Sequence, residues 1–156
     1  MNCMTLLAWE AIGAFASLGI EVSSRLNDQG ISTRVVDPRW VLPVPDTIAS
    51  SVANATRVVV LEDGVRTGGI GSAISTVLQD AGVFVPLRVF GVPRAFLDQG
   101  KRAQILDRTG LTDRQISRDI VEWVASDPAD GAPASVQSEA LSSEGTPPPV
   151  PGTAGQ

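Results

Sequence analysis

Residues 61–74 read LEDGVRTGGIGSAI, an apolar run that gives way to two acids, an arginine and a cluster of glycines. Backbone N–H groups at the start of a helix attract anions, and a glycine-rich turn lets a ligand come close to them. Asp63, Arg66, Gly68, Gly69 and Gly71 therefore form the candidate site. It would serve as a surface for a partner, or as a place where a small anion or nucleotide sits at the Gly69 helix start with Arg66 beside it. The same residues also have a purely architectural use. Gly68 and Gly69 would supply positive φ for a tight turn, and Gly71 and Ala73 would let a helix lie close to a sheet.

Known phosphate-binding patterns fit poorly. A dinucleotide fingerprint needs Gly-x-Gly-x-x-Gly after the first strand and an acid about 20 residues further on. Here Ile74 stands in the third glycine position, and the strand after the helix offers Arg88 and no acid. No Gly-Lys-Ser/Thr follows, so the turn is not a P-loop. The 156-residue chain contains no histidine and a single cysteine, Cys3. This excludes Ser-His-Asp and Cys-His catalysis, an internal disulfide and a cysteine zinc site. Chemistry on this chain would fall to carboxylates, Lys101 or a borrowed cofactor, and no residue is assigned a catalytic, cofactor-binding or metal-binding role.

The net charge is −5, but Asp127, Asp130, Glu139 and Glu144 lie in a C-terminal stretch without Lys or Arg. Up to Ala125 the balance is close to neutral, and the basic bias from Arg94 to Arg118 is broken by Asp98, Asp107 and Asp113. Such a surface gives no reason to expect nucleic acid. The N-terminal MNCMTLLAWEAIGAF has no early positive charge and is interrupted by Glu10, so neither a signal peptide nor a membrane span is expected, and the chain reads as cytoplasmic.

The elements that would position the glycine turn alternate in period. Phe15, Leu18, Val22 and Leu26 recur at helical spacing before Gly30, and residues 31–37, ISTRVVD, read as a strand ending at Pro38. A short helix is expected from Asp46 to Ala53, followed by TRVVVLE (56–62), whose apolar run suits a strand buried on both faces of a parallel sheet. Ile70, Ala73, Ile74, Val77, Leu78 and Ala81 then predict a helix ending at Gly82, and a strand follows around Leu87–Phe90 behind Pro86. A last helix in 111–125 opens with Thr112 and Gln115 at capping-box spacing and lines up Ile116, Ile120, Trp123 and Val124. Alternating strands and helices predict an α/β layered domain over 1–125. From residue 126 the Pro/Ser/Ala/Gly-rich sequence predicts a disordered tail, in which PPPVP (147–151) is the only hint of a proline-reading partner.

Four stretches resemble a known family. EDGVRTGGIGSAI, VVDPRWVLPV (35–44), FGVPRAFLDQGKRAQIL (90–106) and GLTDRQISRDIVEWV (110–124) are similar to the C-terminal domain of 1-deoxy-D-xylulose-5-phosphate synthases. The likeness covers roughly Ala11–Ala125. Transketolases and the β subunits of 2-oxoacid dehydrogenases share this domain type, whereas the Asp-Pro-Arg-Trp and Phe-Gly-Val-Pro stretches point to the synthase. The resemblance implies a three-layer α/β/α fold with a five-stranded, mostly parallel sheet. It also implies a parent enzyme that condenses pyruvate with glyceraldehyde 3-phosphate, losing carbon dioxide, at the start of non-mevalonate isoprenoid synthesis. In that family thiamine diphosphate and magnesium are held by the first domain, and the cofactor-activating glutamate comes from the second. Neither domain is in this sequence, and Glu62-Asp63-Gly64 only superficially resembles the family's Gly-Asp-Gly metal motif.

The expectation is thus a truncated or stand-alone C-terminal domain, inactive alone, with a structural role against missing N-terminal domains or in a homodimer. The alternative is an interaction or regulatory module that docks on an intact synthase or another thiamine-diphosphate enzyme through Asp63, Arg66 and the surroundings of Arg94 and Phe96. Trp40, Val41, Leu42 and Val44 are candidates for apolar surface that a partner would cover. One departure from the family stands out. Its first strand is small and aliphatic, whereas this chain has Leu6-Leu7-Ala8-Trp9-Glu10-Ala11, so the charge is expected to shorten, shift or partly expose that strand.

Overall fold

The computed structural model describes residues 5–11, 15–38 and 40–126. The tail expected from 126 onward lies, from 127, outside these residues. Four strands, β1 (Thr5–Ala11), β2 (Ser32–Val36), β3 (Arg57–Val65) and β4 (Leu87–Val92), form one parallel sheet in the order β2-β1-β3-β4. Five helices connect and follow them: α1 (Ala16–Asp28), α2 (Thr47–Val52), α3 (Ile70–Asp80), α4 (Arg102–Arg108) and α5 (Asp113–Ser126).

Period-two alternation in β3 explains the three layers. Val59 and Leu61 join Phe15, Val22, Leu26, Ile116 and Ile120 beneath α1 and α5. Val58 and Val60 face the other way and join Ile48, Val52, Ile74 and Leu78 beneath α2 and α3. The unbroken apolar run of β3 is therefore the sequence of a strand with a core on each side.

The described residues supply four strands where five were expected. After β4 the chain turns at Pro93 into an irregular exposed segment and then α4, with no further extended run before α5. The first strand forms: β1 is an interior strand running through Glu10. Its pairing with β2 ends at Trp9↔Val36, while Glu10 and Ala11 pair only with Leu61 and Glu62 of β3. Glu10 thus sits where the sheet has already narrowed.

Helix ends follow the glycines. Gly30, Gly82 and Gly110 all have φ between +68° and +79° after α1, α3 and α4, the left-handed conformation that closes a helix most easily with glycine. At α5 the Thr112 hydroxyl accepts the Gln115 N–H at 3.4 Å, as the capping spacing predicts. No helix among the described residues is long and apolar enough to cross a membrane.

Candidate functional site

β3 delivers its last buried residue, Glu62, to the face that carries α3, runs on exposed to Val65, and the chain then turns through Arg66–Gly69 before α3 starts. Glu62 is only 2% exposed. Its Oε2 accepts the backbone N–H of Ile70 at 2.6 Å and that of Gly71 at 3.4 Å. These are donors that a helix start leaves unpaired within the helix. Burial raises the Glu62 pKa above its ordinary value, while the Gly71 and Ile70 amides pull it the other way. Its Oε1 is buried and has no hydrogen-bond partner.

The glycines divide their tasks. Gly68 has φ +79° and donates its N–H to Ser72 Oγ at 3.2 Å, so it makes the turn. Gly69 has φ −81°, open to any residue. It must be small because a Cβ there would lie 2.3 and 2.6 Å from the Glu62 carboxylate oxygens and 2.6 Å from the Val65 carbonyl. A Cβ on Gly71 would lie 2.5 Å from a Val89 methyl, so this glycine lets α3 settle on β4. Positive φ at Gly69, expected from the sequence, is replaced by close approach as the reason for glycine.

The charged candidates diverge. Asp63 turns toward α4 and pairs with Arg102 at 2.8 Å, with the Arg102 guanidinium 5.5 Å from the Phe15 ring. Arg66 donates its backbone N–H to Val92 at 2.9 Å, and its side chain borders a hollow of about 560 Å³ together with Arg88 and Arg94. Phe96, beyond Arg94, is fully exposed. Glu62 was missed as a site residue. The available signal was an acid closing a buried strand, at a position whose alternation faces the following helix.

A diphosphate does not fit this helix start, because the amides that would hold it already bond a carboxylate of the chain. Nor is there, among the described residues, a group of three or more His, Cys, Asp or Glu able to hold a metal ion. The Glu62-Asp63-Gly64 stretch is spent on capping α3 and pairing with α4.

Comparison with known proteins shows the family and the fold. The family described as "Transketolase, C-terminal domain" matches residues 5–116. The chain is 50% identical over 114 residues to 1-deoxy-D-xylulose-5-phosphate synthase of Arthrobacter sp. (strain FB24), covering 73% of this chain and 17% of that protein. It is 47% identical over 131 residues to the Mycobacterium sp. (strain KMS) enzyme of the same name, covering 84% and 20%. The chain thus spans about a fifth of the length of these relatives. A structure described as "Split gene transketolase, inactive beta4 tetramer" shares the fold, with a TM-score of 0.68 at 24% identity, over 80% of this chain and 40% of that one.

Proposed function

The chain belongs to the transketolase C-terminal domain family, and from that premise we propose that it does the work of this domain in a 1-deoxy-D-xylulose-5-phosphate synthase. That work is structural: it packs against the enzyme's other domains or a second copy and carries out no chemistry alone. The parent reaction, condensation of pyruvate with glyceraldehyde 3-phosphate, belongs in this reading to domains that hold thiamine diphosphate and magnesium. A cytoplasmic location follows from the same reading.

The observation that carries it is the end of the sheet to which the glycine turn belongs. In a parallel sheet the loops after every strand emerge at one end. Here those loops present Trp40 and Leu42 after β2, Val65 at the end of β3, and Phe96 and Leu97 after β4, all exposed. Large apolar side chains gathered on one surface mark a contact face. In this reading Asp63, Arg66 and the turn at Gly68 and Gly69, which follow β3 next to β4, contribute to that face, while Gly71 is buried against Val89.

With the α3 amides engaged by Glu62, this geometry favours the contact surface over the anion site. A module that docks on an intact enzyme would use the same face. The test is light-scattering mass of the chain alone and mixed with an intact synthase, beside turnover of both substrates with thiamine diphosphate and magnesium. Self-association or a stable mixed complex, with no turnover by the chain alone, is expected. Turnover by the chain alone would overturn the reading, as would a monomer that ignores the synthase.

A further inference from the structure

Three arginines border one hollow beside the glycine turn. The hollow, about 560 Å³, runs beside β4 and the loop after β3, and Arg66, Arg88 and Arg94 line it with no carboxylate among its lining residues. Asp119 borders a neighbouring hollow of about 410 Å³ instead. Asp63 and Asp98, the acids nearest in sequence to Arg66 and Arg94, pair with Arg102 and Arg108. Among the described residues the Arg66 and Arg94 side chains have no ion-pair or hydrogen-bond partner. Like charges brought to one place without a counter-charge cost free energy that a bound anion offsets.

The framework behind these side chains is held. The Arg66 N–H donates to the Val92 carbonyl at 2.9 Å, and Pro93 fixes its own φ just before Arg94. Arg88 lies with its guanidinium 4.5 Å from the Trp123 ring centroid and gives one donor to the Asp119 carbonyl at 3.3 Å. Its remaining donors are unpaired among the described residues. Ser72 adds a hydroxyl to the same lining. Its oxygen accepts the Gly68 N–H at 3.2 Å, and among the described residues no acceptor takes its proton. All of these donors are side chains, so the α3 amides stay with Glu62.

The number and kind of donors state which anion fits. One guanidinium fork satisfies a carboxylate, with its single charge and two oxygens. Three guanidinium groups and a hydroxyl call for more oxygens and more charge, which a phosphate or diphosphate carries. The hollow is larger than such an anion alone, and Leu87, Val89 and Pro93 give it an apolar side for a small organic body. We infer that this hollow binds a small phosphorylated ligand, with Arg66, Arg88, Arg94 and the Ser72 hydroxyl on its phosphate oxygens. The site goes beyond the contact role proposed above and does not depend on it.

Titration calorimetry of the full chain with inorganic pyrophosphate at constant ionic strength tests it. Saturable binding with a Kd of about 1 mM or tighter is expected, weakened at least about tenfold in an R66Q/R94Q variant. Both positions are exposed, so the unfolding midpoint of that variant should match the natural chain's. R114Q/R118Q, which alters a different arginine-bordered hollow that also carries Glu122, should bind as the natural chain does. Succinate, a dicarboxylate, should bind at least about tenfold more weakly than pyrophosphate. No saturable binding would overturn the inference. Equal weakening in the two double variants would overturn it too, by marking general attraction to positive charge. So would succinate binding as tight as that of pyrophosphate, which would give the hollow to a carboxylate of a protein partner.

Discussion

The Glu62 carboxylate accepts the Ile70 N–H at 2.6 Å and thereby joins the last buried residue of β3 to the first residue of α3. The bond spans the whole glycine turn. It fills from within the chain the position that an anion would otherwise take at a helix start. A sequence that looks built to hold a phosphate is built to hold its own side chain, and Gly69 and Gly91 keep the space around that carboxyl group clear.

Removing the acceptor should loosen the turn. Glu62→Ala is expected to cost about 1–3 kcal/mol by leaving buried amides unpaired, whereas Glu62→Gln keeps an oxygen for Ile70 and has a much smaller effect near neutrality. The pH dependence has a definite sign. Burial raises the folded-state pKa of Glu62 above the ordinary 4.5, so the folded protein holds this proton more tightly than the unfolded chain. Stability gained from the protonated form is complete below the unfolded value and is lost as pH rises through the raised one. Urea unfolding of both proteins across this range should show the natural chain losing stability relative to Glu62→Gln as pH rises. Parallel profiles would refute the assignment.

The three glycines of the turn should respond in a set order. Gly68→Ala asks only for a left-handed alanine, with nothing within 4 Å of the new Cβ, and should cost about 1–2 kcal/mol. Gly71→Ala must displace Val89 methyls and should cost about 1–3 kcal/mol. Gly69→Ala meets a backbone carbonyl as well as the Glu62 carboxylate, so it should be the most damaging. Thermal unfolding of the three variants gives the ranking, and a Gly68 variant worse than the Gly69 variant would contradict it.

Trp40 and Phe96 separate surface from core. Trp40 is 71% exposed, and Phe96 is fully exposed. Replacing either by a polar residue should change stability by no more than about 0.5 kcal/mol while raising solubility and weakening any self-association. If Trp40 were instead a core residue, the loss would be on the order of 3–5 kcal/mol. Unfolding midpoints and light scattering on the same samples distinguish the two.

Much of the fold was legible because its periods are strong. The consecutive valines of β3, the i, i+3, i+4 pattern of α3 and the Thr112 cap of α5 each state one local answer that packing then accepts. α4 was not legible: none of its residues is fully buried, so Ile105 and Leu106 make too narrow a stripe to reveal a helix. Of the apolar segment Trp40–Val44, Trp40 and Leu42 are exposed while Val41 and Val44 pack against the core beneath α2 and α3, a split that depends on how the loop folds back. At the site the glycines and Arg66 were visible as a group, but the partner of the helix start was not. Glu62 reads as one more acid until the sheet shows which way it points.

Trp123 provides a last test, because its ring carries more than apolar packing. The α5 pattern places it on the buried face with Ile116 and Ile120, and it does pack against that core while remaining half-buried. Over its ring lie two guanidinium groups, Arg88 at 4.5 Å and Arg57 at 5.3 Å from the centroid. Both arginines face α5, since Arg57 lies two residues before Val59 on β3 and Arg88 pairs with Val59 in register. If the ring's electron density matters, stability should fall in the order Trp, Phe, Leu at position 123, following the strength of cation–π attraction. If only volume matters, the Phe and Leu variants should be nearly equal. A double-mutant cycle between Trp123→Leu and Arg88→Met, read by urea unfolding, should give a coupling of about 0.5–1 kcal/mol. A coupling of zero would leave Arg88 held by its bond to the Asp119 carbonyl alone.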